Sequence, residues 1–222
     1  MEETVEELER AWEAPLRRYA EILARSDIRL TGTRDAEKIY DLHVLDSLRS
    51  VPLLPGAGRV IDVGSGGGLP GVVWAVCRPG LSVTLLDSAG KKCRASEAAA
   101  GELGLANVSV VWGRCEDYAK DARETFALAG ARALAHAGVL AEYLSPLVAP
   151  GGRLLAFKGP KGAAELREVG GRWSALGLGA PRALPYGPED RDCVFVLWDK
   201  IAPCSRAYPR KAGTAGVKNW WK

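Results

Sequence analysis

Apolar side chains recur at helical spacing in the first part of the chain. Over residues 4–25 they follow one another at steps of three and four, which predicts an amphipathic helix, although Pro15 is expected to kink or divide it. The same spacing predicts a second helix over residues 35–48, with Asp35 near its start as a capping residue. We therefore expect residues 1–58 to form an N-terminal helical cap within the same compact unit as the rest.

After residue 58 the pattern changes to short apolar runs that alternate with helical stretches. Buried strands are predicted over residues 59–63, 81–86, 108–112, 126–131 and 152–158, helices over 69–76, 91–103 and 137–148, and an antiparallel strand over 193–199. Such alternation is typical of an α/β fold with a doubly wound, mainly parallel sheet. Right-handed crossovers bring the carboxyl ends of the first strands to one edge, where ligands bind. We expect this domain to cover residues 59–200 and a basic tail to cover residues 201–222.

Composition becomes informative about partners once the distribution of charge is considered. The 222 residues suit one domain, and a hydrophobic content of 47% excludes disorder of the whole chain. The net charge is only +3, from 30 Lys and Arg against 27 Asp and Glu. Residues 1–21 nevertheless hold seven Glu and three Arg, whereas residues 200–222 hold six Lys or Arg and no acid. This asymmetry indicates an interaction tail.

Cysteine and histidine usage bears on location and on metal binding. Five cysteines, an odd number without a C-x-x-C pair, indicate reduced thiols in a cytoplasmic protein. The sequence shows neither a signal segment nor an apolar run of membrane length, so we expect no membrane partner. With two histidines and no cysteine pair at ligand spacing, we expect no metal. We also expect a monomer.

A glycine-rich loop carries the strongest chemical signal. Residues 59–71 read as a strand that runs into this loop and then into a helix, whose first turn accepts Pro70. Glycines allow a sharp turn and the close approach of a ligand, and free amides at the start of the helix favour an anionic group. Asp87 ends the next predicted strand, where an acidic side chain binds ribose hydroxyls. Together these features predict a nucleoside-containing cofactor.

The spacing of the glycines decides which cofactor is favoured. A dinucleotide fingerprint that starts at Gly64 requires a third glycine where the chain has Leu69. The shorter form Asp62-x-Gly64-x-Gly66-x-Gly68 fits instead, and it resembles the first motif of class I methyltransferases. That resemblance implies a Rossmann-like fold and S-adenosylmethionine as the cofactor.

Longer stretches carry a closer resemblance. They are Arg29-Leu30-Thr31-Gly32-Thr33-Arg34-Asp35, His43-Val44-Leu45-Asp46-Ser47, the loop over residues 62–71, Leu85-Leu86-Asp87-Ser88-Ala89-Gly90-Lys91-Lys92, and shorter matches over 113–117, 131–133, 157–159 and 208–214. In these motifs and their order the chain resembles the glucose-inhibited division protein B family over nearly its whole length. The resemblance implies a bacterial enzyme that methylates N7 of a guanosine in the decoding-region loop of 16S rRNA.

The resemblance also implies roles for particular residues. It implies cofactor contacts from Gly64, Gly66 and Leu69, a ribose contact from Asp87, adenine contacts from Cys115 and Glu116, and a place near the methionine end and the substrate for Arg132. Cys115 stands where the family commonly has alanine or valine, a change that matters little for a contact through the backbone. Arg29 stands where the family usually has asparagine.

The chemistry of this transfer sets what the protein must supply. A methyl group on a sulfonium moves by in-line displacement, and guanine N7 already offers a lone pair. No proton is removed before attack, so we assign no catalytic base and expect the protein mainly to orient the reactants. His43 and Asp46 share a predicted helix face, and we interpret them as structural residues, not as a catalytic pair.

Cations near the cofactor edge predict the RNA-binding surface. They are Lys91, Lys92, Arg114, Arg132 and Lys158 at element boundaries, with Arg210 and Lys211 in the tail. Any one of them taken alone also suits an ordinary solvated charge. Trp220 and Trp221 either stack on bases or pack on the domain, and packing is favoured. The predicted partner is 16S rRNA or the small ribosomal subunit.

Two other functions stay open. A small-molecule methyltransferase would share the cofactor site but would not need a basic rim and tail. A noncatalytic RNA- or ribosome-binding protein would keep the fold without affinity for S-adenosylmethionine. Binding of this cofactor therefore discriminates the second alternative from an enzyme.

Overall fold

The computed structural model describes residues 3–187 and 192–222. The chain groups into two compact units, one that ends at Trp112 and one over Gly113–Lys222. This boundary falls inside residues 59–200, which the sequence predicts as one domain. The division into residues 1–58, 59–200 and 201–222 stays a prediction.

The first unit begins with helix α1, Val5–Arg25. Thr4 caps it, because the Glu7 amide donates to Thr4 Oγ1 over 3.2 Å and the Thr4 amide donates to Glu7 Oε2 over 2.9 Å. Pro15 lies inside this helix and does not divide it; the other expectation, a kink at this residue, stays a prediction. Buried leucines on both sides of the proline keep one face of α1 packed, which offsets the hydrogen bond that proline removes.

The second helical segment of the cap is built from three consecutive pieces. They are α2 Ala36–Ile39, a π-helical turn Tyr40–Val44 and α3 Leu45–Leu48. Asp35 caps the segment, since its carboxylate accepts from the amides of Glu37 at 3.1 Å and Lys38 at 3.3 Å. The helix predicted over residues 35–48 is therefore confirmed, with a π-helical turn that the apolar spacing does not reveal.

Three parallel strands form the sheet of the first unit. They are β1 Gly58–Val63, β2 Leu81–Asp87 and β3 Val108–Trp112, in the order β3-β2-β1, with α4 Gly71–Cys77 after β1 and α5 Gly90–Glu102 after β2. The predicted strands are confirmed to within one residue. Helix α4 begins later than predicted, because Pro70 occupies the position before its first residue and not a place in its first turn.

The second unit contains a sheet in the order β4-β5-β7-β6. Its strands are β4 Phe126–Arg132, β5 Val148–Lys158, β6 Arg182–Tyr186 and β7 Cys193–Asp199, and its helices are α6 Cys115–Asp121, α7 Ala137–Leu144 and α8 Gly162–Val169, with 3-10 turns at Ser145–Leu147 and Arg172–Leu176. Strands β4 and β5 pair in parallel, and β7 pairs antiparallel with β5 and with β6. The antiparallel strand predicted over residues 193–199 is confirmed.

The predicted boundary between α7 and β5 is wrong. The helix expected over residues 137–148 ends at Leu144, and the strand expected over residues 152–158 begins at Val148. Pro146 lies in the 3-10 turn that ends the helix. Val148 pairs with Phe126 of β4 and is therefore part of the sheet. The apolar spacing alone did not show this, because an apolar residue at this position also suits the preceding helix.

The basic tail packs on the second unit. The Arg123 guanidinium donates to the carbonyl oxygens of Cys204 at 2.6 Å and Tyr208 at 2.8 Å. Trp221 is buried and its ring stacks on His136, with ring centroids 5.1 Å apart. The packing interpretation of the last residues is thereby confirmed for Trp221.

The cysteines are free thiols, as the sequence predicts. Cys77 and Cys93 are buried in the core, whereas Cys193 is only half-buried. Within residues 3–187 and 192–222, none of the helices combines the length and apolar character that a membrane span requires.

Candidate active site

The loop after β1 places three glycines in backbone conformations that other residues rarely adopt. Gly64, Gly66 and Gly68 have φ angles of 74°, 59° and 101°. A Cβ atom on Gly66 would meet nothing within 4 Å, so the backbone of this residue faces open space. The loop therefore leaves room for a ligand directly against its backbone at Gly66.

Other glycines of the same segment serve packing inside the first unit. A Cβ on Gly71 would overlap the Leu85 side chain, and one on Gly68 would lie 2.6 Å from Val72 Cγ2. The buried Tyr19 hydroxyl donates to the carbonyl oxygen of Gly67 over 2.8 Å and ties α1 to the loop. These contacts fix the loop from behind, which pre-organises the face at Gly66.

The start of α4 differs from the prediction of free amides that favour an anion. The Gly71 amide donates to Asp62 Oδ2 over 2.8 Å, so it is not available to a ligand. Asp62 is fully buried at the end of β1, and its carboxylate takes the place that an external anion would occupy. The prediction of a free anion site at this helix start is therefore wrong at Gly71.

Asp87 at the end of β2 is held in a defined orientation. Its Oδ2 accepts from the Gly66 amide at 2.9 Å, and its Oδ1 accepts from the Ala89 amide at 2.8 Å. An ionised carboxylate has about four acceptor positions, so about two remain for further donors. Two adjacent ribose hydroxyls are donors of the right kind, and the fixed carboxylate beside an open glycine therefore fits a nucleoside.

In the second unit, Glu116 at the start of α6 is buried, with 3% of its surface exposed. Its Oε1 accepts from the Gly213 amide at 3.0 Å and lies 3.3 Å from Arg114 Nη2. Burial opposes ionisation of Glu116, but hydrogen bonds from the backbone amides of Glu116 and Gly213 and from the Cys115 and Arg114 side chains together outweigh it, so the pKa of this carboxyl lies below its usual value. Burial, and then the charge of Glu116, raise the pKa of the Cys115 thiol.

The hydrogen bond between Glu116 and Gly213 joins two motifs of the family resemblance, over residues 113–117 and 208–214. The carboxylate that the resemblance assigns to the adenine is thus also the anchor of the tail. Sequence reasoning missed this contact because 97 residues separate its partners. In the sequence, the presence of both motifs in the family's order is the signal that they belong to one site.

The cations predicted to bind RNA differ in exposure and in their ion pairs. Lys91, Lys92 and Lys211 are exposed. Lys158 instead pairs with the half-buried Glu165, 2.7 Å from Oε2, and Arg210 pairs with the buried Glu142, 2.6 Å from Oε2. Arg114 pairs with Glu116, and Arg132 is half-buried at the end of β4. The contact of these seven residues with RNA stays a prediction.

A groove of about 370 Å³ lies in the first unit between the end of α1, the following loop and α5. Its apolar lining includes Ile28 and Leu30, and its polar lining includes Lys91 and Arg94. Leu30 lies next to the glycine loop, because a Cβ on Gly67 would come within 3.0 Å of Leu30 Cβ. The groove and the glycine loop are therefore neighbouring surfaces of the same unit.

Two further interpretations concern metal and the cap. Among the residues that the structure describes, no group of three or more His, Cys, Asp or Glu side chains is placed to hold a metal ion. His43 and Asp46 are half-buried in the second helical segment of the cap, and both form interactions there. Their structural role stays a prediction.

Known protein sequences are similar to most of this chain. The family model for GidB, described as rRNA small subunit methyltransferase G, matches residues 13–182. Ribosomal RNA small subunit methyltransferase G of Moorella thermoacetica is 39% identical over 194 residues, which cover 84% of this chain and 80% of that protein. The protein of the same description from Rubrobacter xylanophilus is 41% identical over 211 residues, which cover 89% and 80%.

Solved structures are similar in fold. An rRNA methylase from Streptococcus thermophilus has a TM-score of 0.53 at 16% identity, covering 68% of this chain and 92% of that chain. A 16S rRNA (adenine(1408)-N(1))-methyltransferase variant from Catenulisporales acidiphilia, with its cosubstrate SAM, has a TM-score of 0.53 at 18% identity, covering 68% and 88%. At these identities the likeness bears on the fold alone, and it confirms the predicted class I methyltransferase fold.

Proposed function

Because the chain belongs to the GidB family of rRNA small subunit methyltransferase G proteins, we propose that it transfers the methyl group of S-adenosylmethionine to N7 of a guanosine in 16S rRNA. The family resemblance implies that this guanosine is in the decoding-region loop. The chain is an S-adenosylmethionine-dependent methyltransferase. Membership of the family, with the nucleoside-binding geometry of the first unit, favours this activity over the two alternatives that the sequence left open.

One observation carries the assignment of the cofactor to the first unit. The Gly66 backbone faces open space at a φ of 59°, and its amide holds the Asp87 carboxylate at 2.9 Å. We assign the ribose hydroxyls to Asp87 and the close backbone approach to Gly64, Gly66 and Leu69. The roles of the second-unit residues Cys115, Glu116 and Arg132 rest on the family resemblance.

The chain's own residues bind and orient the reactants. S-adenosylmethionine supplies, when bound, a methyl group that is open to in-line displacement. Guanine N7 attacks with its own lone pair, so no side chain has to remove a proton first. Orientation of two reactants in a fixed site accounts for several kcal/mol of barrier reduction, roughly 7–11 at the limit. The structural interpretation of His43 and Asp46 agrees with a reaction that needs no base.

The exposed cations Lys91, Lys92 and Lys211 are assigned to the phosphates of the RNA. Their exposure supports this assignment, because an exposed ammonium group can reach a phosphate and release the counterions held by the nucleic acid. Arg114, Lys158 and Arg210 form ion pairs with carboxylates of the second unit. We therefore expect them to contribute less to RNA binding than the three exposed lysines. A ribosomal RNA substrate and free thiols support a cytoplasmic location, and we propose a monomer.

The test of this function measures both transfer and its position. The protein is incubated with labelled S-adenosylmethionine and 16S rRNA from a strain that lacks this activity, offered as naked RNA and as assembled small subunits. The RNA is then cleaved chemically at 7-methylguanosine. We expect incorporated label and one new cleavage site. Label without cleavage would refute N7 as the acceptor, and failure to bind S-adenosylmethionine in calorimetry would refute an enzyme.

A second test addresses Arg132. We expect Arg132→Ala to reduce turnover by about 100-fold, the loss typical of a misplaced reactant, with an unchanged far-UV circular dichroism spectrum. Arg182→Ala is the matched control, because Arg182 is exposed on β6 and pairs with Asp199 at 3.1 Å. Near-normal turnover of Arg132→Ala, with the control equally active, would remove Arg132 from the site.

A further inference from the structure

Trp112, the last residue of β3, is exposed over 71% of its surface. An indole ring on a protein surface usually buries its apolar faces, because each square ångström of exposed apolar surface costs free energy. The polar edge of this ring is nevertheless fixed, since Nε1 donates to the carbonyl oxygen of Ser88 over 3.0 Å. The exposed ring is therefore held in one orientation and is not a mobile surface side chain.

Gly90 defines which face of the ring is exposed. A Cβ on Gly90 would lie 3.1 Å from Trp112 Cε2 and 3.3 Å from both Cδ2 and Cζ2. Cε2 and Cδ2 form the bond that the two rings of the indole share. An atom in the plane of the ring cannot come this close to both of them, because other ring atoms surround this bond. Gly90 thus lies under one ring face and has no side chain that would lift the ring. The opposite face is the one turned to solvent.

The ring lies next to residues already assigned to the cofactor edge. Trp112 is the register partner of Asp87 in the parallel pair of β2 and β3. Lys91 and Lys92 directly follow Gly90 at the start of α5, and both are exposed. Neither lysine forms an ion pair with any residue in the described part of the chain. A flat apolar face thus lies against the first residue of α5, and the next two residues of that helix are exposed lysines.

We propose that Trp112, with Lys91 and Lys92, is a stacking platform for an unpaired nucleobase of the rRNA. Aromatic rings bind the face of any base, and neighbouring cations hold the phosphates that flank it. This combination favours single-stranded RNA over a protein partner, because a stable protein interface would need a larger continuous apolar area than one indole face provides. The inference rests on the proposed function and adds to it the residue that receives an unstacked base.

The test compares Trp112→Ala with Trp112→Phe. Affinity for a fragment of 16S rRNA that contains the decoding-region loop is measured by fluorescence anisotropy at fixed salt, and affinity for S-adenosylmethionine by calorimetry. We expect Trp112→Ala to weaken RNA binding by roughly 5- to 150-fold, the range of one lost base stack. Trp112→Phe retains an aromatic face and should recover most of the affinity. Neither variant should change affinity for S-adenosylmethionine.

Controls separate stacking from charge and from general apolar exposure. Leu184→Ala removes another exposed apolar side chain, on β6, and should leave RNA affinity unchanged. Lys91→Ala should reduce the slope of log affinity against log salt by about 0.7, the value for a single-strand phosphate contact. Trp112→Ala should weaken binding with no change in that slope. The unfolding temperature of each variant checks that the fold is kept.

Each contrary result has a distinct meaning. Unchanged RNA affinity in Trp112→Ala overturns the platform. Loss of S-adenosylmethionine binding with RNA binding intact also overturns it and places the ring against the cofactor. Equal weakening in Trp112→Ala and Leu184→Ala overturns it as a nonspecific effect. Failure of the unsubstituted protein to methylate 16S rRNA at N7 refutes the proposed function itself, whatever the Trp112 variants do.

Discussion

The role of Arg210 can be tested directly, because the sequence and the structure predict different roles for it. The basic tail predicts an RNA contact, whereas the structure pairs Arg210 with Glu142 of the same chain. Glu142, on α7, has 1% of its surface exposed. Its Oε1 accepts from the Arg210 backbone amide at 3.0 Å and from Nε at 2.8 Å, and its Oε2 accepts from Nη2 at 2.6 Å. Arg210→Ala removes both side-chain donors and leaves a buried carboxylate with the backbone amide.

The magnitude follows from the burial of Glu142. Removal of one partner of a buried ion pair costs about 3–5 kcal/mol, because the remaining charge stays away from water. The Arg210 side chain is 21% exposed and one amide hydrogen bond remains, so we expect the low end, about 3 kcal/mol. For a chain of this size, roughly 2–4 °C of unfolding temperature corresponds to each kcal/mol, which gives a decrease of about 6–12 °C.

The assay is thermal unfolding by scanning calorimetry at neutral pH, with RNA affinity measured on the same variants. Lys211→Ala is the matched control, because Lys211 is the exposed neighbour of Arg210. It should change stability by less than about 0.5 kcal/mol and weaken RNA binding. The pair Arg210→Ala and Glu142→Gln should recover part of the lost stability. An unchanged unfolding temperature in Arg210→Ala, with weaker RNA binding, would refute the structural role.

Three further predictions concern other parts of the chain. Gly71→Ala should lower the free energy of unfolding by about 1–3 kcal/mol and reduce binding of S-adenosylmethionine, because its methyl group would overlap the Leu85 side chain and crowd the Asp62 carboxylate; unaltered melting would contradict this. The pKa of Glu116 is lowered, so the stability it contributes is present above its usual pKa of 4.5 and lost as pH falls through the folded-state pKa. Glu116→Gln, which weakens the bond from Gly213, should therefore lose stability at pH 7 and show a shallower acid transition than the unsubstituted protein, and parallel acid curves would oppose the assignment. Burial raises the pKa of the Cys77 thiol to about 12, so mass spectrometry after brief maleimide treatment at pH 8 should find Cys77 unmodified, and rapid labelling of the native protein would disprove its burial.

The elements that sequence patterns predict well are those whose own residues supply the signal. Strands β1, β2 and β3 are short apolar runs bounded by turns, and all three lie within one residue of the prediction. Strand β6 was missed because its residues are mostly exposed and include Pro185, so that no buried run marks it. It becomes a strand through its pairing with β7, which the local sequence does not contain.

The cofactor site likewise has features that the local sequence predicts and features that depend on contacts between distant residues. The glycine spacing and Asp87 follow from local order along the chain, and the structure joins them by the bond from the Gly66 amide. The loss of the Gly71 amide to Asp62 was not predicted, because a carboxylate nine residues away competes with any external anion. Side-chain competition of this kind depends on distances that a motif does not specify.

Residue types and their spacing were enough to identify the family, the order of strands and helices in the first unit, and the glycine loop with its acidic partner. These features depend on residue type and spacing within short segments, where backbone preference and apolar periodicity act directly. The ion pairs inside the protein became evident only in the folded chain, since the partners Arg210 and Glu142 lie 68 residues apart. Only the structure, likewise, showed that the ring of Trp112 is fixed on Gly90 with one face in water. Burial and pairing between distant residues set the free energy of a charge or an aromatic ring, and the folded chain alone brings those residues together.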